Sequence, residues 1–165
     1  MAYSVSEREP SRVFSSTFNG VAVSAAQDVF EITASAERRL RIIEIRLGQY
    51  SDFGDAQAEL LSILVVRGYT VSGSGGSANT PRNINSSSVK TPTATVETNN
   101  TTVANTGTPH VLIADSWNVA AGAWIAPRAG EHIYLAKSER LVVRITAPTD
   151  AVTLNGTLMF EEIDQ

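Results

Sequence analysis

WIAPRAGEHIYLAKSERLVVRITAPTDAVTLNGTLMFEEI, residues 124–163, is the stretch whose reading decides the fold. Its end is the clearest part. Val152, Leu154, Leu158 and Phe160 fall on one parity, and Thr153, Asn155, Thr157 and Glu161 fall on the other. A period of two sends successive side chains to opposite faces of a pleated strand, so one face meets a core and the other meets water. Gly156 sits on the inward parity, which predicts a bulge or a close backbone approach. Upstream, Leu141, Val143 and Ile145 alternate with Val142, Arg144 and Thr146. Ile133 and Leu135 alternate with His132, Tyr134 and Ala136. The turns Ala126-Pro127-Arg128-Ala129-Gly130 and Ala147-Pro148-Thr149-Asp150 separate these runs. The stretch therefore reads as an antiparallel meander.

The rest of the chain extends this pattern. Val111, Ile113, Trp117 and Val119 share a parity with Asp115, so the strand breaks there or Asp115 is paired. A continuous apolar run, Leu60-Leu61-Ser62-Ile63-Leu64-Val65-Val66, predicts a strand over 58–68 covered on both faces, although residues 55–61 also tolerate a single helical turn. Ile43, Ile45 and Leu47 alternate with Glu44 and Arg46, and the adjacent Ile42 and Ile43 predict a bulge. Residues 21–32 give two short strands. The strands number roughly eight to ten, with no convincing helix, which suits a sandwich of two sheets.

Two segments break the pattern. Residues 70–109 are mostly Ser, Thr, Asn, Gly and Pro, beginning with Ser72-Gly73-Ser74-Gly75-Gly76-Ser77. A structureless loop of this length is rare inside a compact domain. Part of it, 93–98, alternates weakly as a strand; the rest reads as an insertion, a linker or a loop against a neighbour. Residues 1–20 are mostly polar, and Tyr3, Phe14 and Phe18 among them look like isolated anchors on an extended arm or edge strand. The expected organisation is an N-terminal arm, 1–20, and a single β-sandwich domain, 21–165, with a loop insertion at 70–109. The expected fold class is all-β: an antiparallel two-sheet sandwich, jelly-roll-like, with a long Gly/Ser/Thr/Asn-rich central loop.

Composition narrows the function. A chain of 165 residues is most simply one domain. It contains no cysteine, so disulfides and thiolate metal sites are excluded and synthesis in a reducing compartment is expected. A net charge of −4 argues against a general nucleic-acid binder. Residues 1–7 carry no apolar run of a secretion signal, and no apolar run approaches the ~20 residues that span a bilayer.

The residues that could carry chemistry are few. His110 and His132 are the only histidines, and Gly130-Glu131-His132 faintly echoes the metal motif of cupins, with Asp115 or Glu131 as a further ligand. A second nearby histidine is missing. Asp52, Asp55 and Glu59 are close in sequence but lack the register of a calcium loop. The glycine-rich run at 72–77 is followed by neither Gly-Lys-Ser/Thr nor a helix, so it reads as a flexible loop rather than a phosphate cradle. Trp117 and Trp124 suit either a sugar-stacking platform or a core. Arg38, Arg39, Arg41 and Arg46 form a basic cluster, either a solvated strand end or a docking patch for an acidic partner. The expectation is no catalytic residue, no metal and no cofactor. The candidate partner-binding residues are Tyr3, Arg12, Phe14, Phe18, Arg38 and Arg39.

One resemblance adds to this reading. The polar arm, the cysteine-free all-β body, the Gly/Ser/Asn/Thr-rich insertion and the ending Leu158-Met159-Phe160-Glu161-Glu162 resemble small virion proteins of tailed bacteriophages. The run Gly73-Ser74-Gly75-Gly76-Ser77-Ala78-Asn79-Thr80-Pro81-Arg82, followed by Glu97-Thr98-Asn99-Asn100-Thr101-Thr102, is similar to a pattern that recurs in them. The resemblance implies a capsid decoration (cement) protein, commonly a jelly roll, placed on the virion surface after synthesis in the host cytoplasm. It implies the major capsid protein as partner. Many exposed β-faces and a long neutral loop suit packing against copies of the chain itself, a trimer before a dimer, and the charge and apolar runs above point to neither nucleic acid nor membrane. A carbohydrate-binding module and a cupin-like metalloenzyme are the alternatives.

Overall fold

A computed structural model describes residues 12–49, 60–128 and 130–163. Among the described residues there are twelve strands: β1 (Val13–Val23), β2 (Gln27–Thr33), β3 (Arg39–Gln49), β4 (Leu60–Val71), β5 (Ser77–Asn79), β6 (Arg82–Asn83), β7 (Thr95–Asn100), β8 (Asn105–Asn118), β9 (Trp124–Ala126), β10 (Ile133–Leu135), β11 (Arg140–Ile145) and β12 (Val152–Ile163). One 3-10 turn, Val119–Ala121, is capped by the Asn118 side chain. The strands form two antiparallel six-stranded sheets. The first runs β10-β3-β12-β1-β6, with β9 also paired to β3; the second runs β5-β7-β2-β11-β4-β8. The sheets face each other across one apolar core, with Phe14, Leu158 and Phe160 from the first meeting Phe30, Ile63 and Leu141 from the second.

The pattern of β12 is the one its sequence predicts. Burial alternates along its whole length, with Val152, Leu154, Leu158 and Phe160 inward. Gly156 is the close approach: a Cβ there would lie 2.2 Å from Phe18 Cε1. The matching bulge lies in the partner strand, where the β1–β12 register shifts between Phe18 and Val21 and Gly20 adopts φ +65°. The bulge expected in β3 is also present. The β12–β3 register pairs Met159 with Glu44 and Phe160 with Ile42, skipping Ile43, so Leu40, Ile42, Ile45 and Leu47 all reach the core.

Three expectations need correction. The C-terminal strands are not a meander: β10 and β12 both pair β3 in the first sheet, whereas β11 pairs β2 and β4 in the second. The turn at 147–150 carries the chain across the core instead of back along one sheet.

The arm is the second correction. Residues 13–20 belong to β1, held between β12 and β6. Phe14 and Phe18 are core residues, their ring centroids 5.7 Å from Phe160 and 5.1 Å from Phe30 respectively. Ser16 lies inward between them and is itself buried, so this is a strand with period two and one polar inward position.

The insertion is the third. Residues 72–76 run from β4 to β5 and residues 101–104 return from β7 to β8. Each joins strands on opposite sides of β11, so each crosses the second sheet. They pair where they meet, with Ser74 and Thr102 exchanging backbone hydrogen bonds of 2.8 and 2.9 Å. Together they make a belt over the outer face of that sheet, above a small apolar cluster of Val66, Val142 and Ala104 with Leu64 and Tyr69 beside it. The glycines there are not linker residues. A Cβ on Gly73 would sit 2.6 Å from the Thr102 carbonyl oxygen, and one on Gly76 would sit 2.3 Å from that of Thr98. The belt also explains the run in β4, whose Val65 faces the main core and whose Val66 faces the belt.

Candidate interaction surface

Three buried carboxylates fasten the insertion to the body. Asp28, on the belted face of β2, accepts the Ala104 backbone N–H at 2.6 Å and pairs with Arg144 at 2.6 and 3.0 Å. Arg144 also donates to the Ala104 carbonyl at 2.7 Å and lies 4.9 Å from the Tyr69 ring centroid. Burial alone would lower the Arg144 pKa; its hydrogen bond to Asp28 and the charge of Asp28, with Tyr69 adding to both, outweigh this and raise it. Glu31 accepts from Gly73 N at 2.9 Å, from Asn100 Nδ2 at 3.1 Å and from the Ser72 hydroxyl, and pairs with Arg140 at 2.7 Å. Glu162 continues the inward parity of β12. Its Oε1 accepts from the Thr93 hydroxyl and from Ala94 N, each at 2.9 Å, while its Oε2 pairs with Arg12 at 2.8 Å. Each acid thus ties a backbone donor of the insertion to an arginine of the body, and the arrangement is a structural clamp. A groove of about 260 Å³ near its edge is lined by Gly68, Tyr69, Thr70, Ser138, Glu139 and Arg140.

The outer face of the first sheet is built differently. Pairing registers place its side chains in rows across the strands. One row is Tyr134, Arg41, Glu161 and Val13; another is Ile125, Arg46, Thr157 and Thr17; Met159 and Ser15 lie between them. These residues alternate with buried neighbours, so they point away from the core. Tyr134 is 44% exposed and Ile125 is 53% exposed. Arg41 pairs with Glu161 at 2.5 Å and Arg46 pairs with Glu44. Tyrosine, methionine and arginine with a mixed polar surround are the composition of protein-binding surfaces.

The residues expected to bind a partner are not brought together. Tyr3 lies outside the described residues. Phe14 and Phe18 are in the core and cannot anchor a second protein while the sandwich is folded. Arg12 is committed to Glu162. Arg38 is half-buried before β3, its backbone N–H on the Ser35 hydroxyl at 3.1 Å. Arg39 alone of the six is both described and exposed, at the start of β3 opposite Ile163. Tyr134 falls on the outward parity of its run, but sequence alone does not show that it and Ile125 pair beside Arg41 and Arg46 of β3.

The other candidates are dispersed as well. Trp117 and Trp124 are buried, and their indole N–H groups donate to the Gly122 carbonyl at 2.8 Å and to Asp115 at 3.0 Å. They are core residues, not an exposed stacking platform, and Asp115 is the paired acid its parity required. His110 lies on β8 in the second sheet, and His132 precedes β10 in the first. Among the described residues no three His, Cys, Asp or Glu side chains are grouped to hold a metal ion. Asp52, Asp55 and Glu59 lie outside the described residues. No helix among the described residues is long and apolar enough to cross a membrane. Comparison of the chain with family models, with curated proteins and with solved structures finds no match.

Proposed function

We propose that this chain is a structural virion protein that decorates and stabilises a bacteriophage capsid by binding the major capsid protein. The carrying observation is the contrast between the two outer faces. One is belted by the chain's own insertion, whereas the other presents Tyr134, Ile125 and Met159 among arginine–glutamate pairs. A face of that kind suits docking onto a broad protein surface better than capture of a small molecule. The strand order supports the finer reading of the sandwich as a jelly roll. Strands β1, β12 and β3, with β9 or β10, oppose β2, β11, β4 and β8, and chain neighbours such as β1 and β2 or β11 and β12 fall in opposite sheets. Small jelly rolls serve many functions, so the fold alone does not carry the proposal.

The test mixes the recombinant chain with capsid shells assembled without it and measures co-sedimentation. Saturable binding at a fixed ratio to the capsid protein, with a rise in shell melting temperature, is the expected result. Tyr134→Ala combined with Ile125→Ser should weaken binding by about tenfold or more while leaving the free chain's melting temperature unchanged. A folded chain that ignores the shells overturns the reading.

A further inference from the structure

We propose that β8 is a self-pairing edge: two copies of this chain join by antiparallel pairing of β8 with β8 about a two-fold axis. The proposal is independent of capsid binding, since a chain that ignores shells can still pair. Strand β8 has fourteen residues, forms the edge of the second sheet, and pairs among the described residues with β4 alone. A long open edge is a template for another strand.

Natural edges are guarded by lysine, proline, bulges or strained backbone, and on β8 all of these but one bulge lie at the N-terminal end. Thr106 and Gly107 have positive φ, Pro109 lacks a donor, and the register to β4 skips Leu112. No proline, lysine or positive φ interrupts 110–118, and β8 carries neither lysine nor arginine anywhere. Val111 and Leu112 are 55% and 37% exposed.

Charge selects the occupant and the register. The only titratable side chains on β8 are His110 and Asp115, and both are exposed. The bulge at Leu112 puts His110 on the same face as Asp115, since their β4 partners Arg67 and Ile63 are four residues apart. Antiparallel pairing about an axis at Ile113 then sets His110 of each copy opposite Asp115 of the other. The same register sets Val111 against Ala114 and Ile113 against its own copy, with Leu112 left in the bulge of each strand. Registers centred on either charged residue would instead oppose two aspartates or two histidines. The strand is therefore complementary to itself in one alignment, as an isologous interface requires. Asp115 gives one carboxylate oxygen to Trp124 Nε1, which leaves the other for the copy. Edge pairing of this kind gives two copies, whereas the sequence led us to expect three.

The test is the mass of the full chain by light scattering at tens of micromolar, repeated for two variants. We expect a dimer. Leu112→Lys, which adds an edge charge, should give a monomer with an unchanged melting temperature. The chain has no cysteine, so Val111→Cys with Ala114→Cys should cross-link under mild oxidation into a dimer on a non-reducing gel. The cross-link keeps the proposal falsifiable even if Leu112→Lys fails to fold. A monomeric or trimeric wild-type chain, a folded Leu112→Lys chain that stays dimeric, or an absent cross-link in the folded double variant overturns the proposal.

Discussion

Gly156 is inward-facing, and its place is taken by neighbouring rings. A Cβ would meet Phe18 Cε1 at 2.2 Å and Phe30 Cε2 at 2.8 Å, both rigid ring atoms held in the core. Gly156→Ala should therefore destabilise the chain by about 1–3 kcal/mol, read as a lower urea midpoint with an unchanged slope. Phe18→Leu in the same chain should recover part of the loss. Asp28 offers a second test at this scale. Its side chain is fully buried, and Asp28→Ala would leave the Ala104 N–H without its acceptor and the Arg144 charge without its carboxylate. The expected loss is about 3–5 kcal/mol by chemical denaturation. Glu44→Ala breaks the more exposed pair with Arg46 and should change stability by about 1 kcal/mol or less. Raising the Arg144 pKa stabilises the protonated form in the fold. That contribution is fully present below the ordinary arginine range and is lost only as pH climbs above it, so Arg144 adds no pH dependence near neutrality.

Strand β1 is where the sequence was hardest to read and where a deletion is most informative. It lies between β12 and β6 and contributes Phe14, Phe18 and Val23 to the core. Deleting residues 1–18 removes most of its pairing with β12, and the product should show no cooperative thermal transition. A truncated chain that melts as the full one does would mean that β1 is dispensable. Periodicity made β12, β3 and β4 legible, including the bulge at Ile43, because their inward positions are nearly all apolar. It failed for β1 because Ser16 occupies an inward position and the bulge at Gly20 resets the parity. It failed again at β10–β12, where alternation reports which face is buried but not which strand is the neighbour. Pairing is a long-range choice, and turns such as 147–150 permit a crossing between sheets as readily as a hairpin. The candidate surface was less legible than the fold, since Tyr134 and Ile125 become neighbours of the β3 arginines only through pairings distant in sequence.

For the whole molecule, the question is whether the insertion behaves as an appendage or as part of one cooperative unit. Composition argues for an appendage, because Ser, Gly, Thr and Asn bury little apolar surface against the ~1–2 kcal/mol per residue that ordering costs. The contacts argue the opposite. Strands β5 and β7 extend the second sheet, β6 extends the first, and three buried acids hold backbone donors of the intervening segments. Ala104 packs with Val66 and Val142, so opening the belt would expose apolar surface as well as Asp28, Glu31 and their arginines. These losses coincide, which couples the belt to global unfolding rather than to local fraying. Hydrogen exchange at neutral pH should then show the amides of Gly73, Ser74, Thr102 and Ala104, each bonded to a carboxylate or across the belt, protected within about tenfold of core amides in β11 and β12. In Glu31→Gln, which weakens the pairing with Arg140 and the acceptor for Gly73, protection should fall first at Gly73 and Ser74 while β12 keeps its own. Exchange of those four amides at the rate of an unstructured chain in the wild-type protein would mean that the belt is a flexible linker and that the outer face of the second sheet is open.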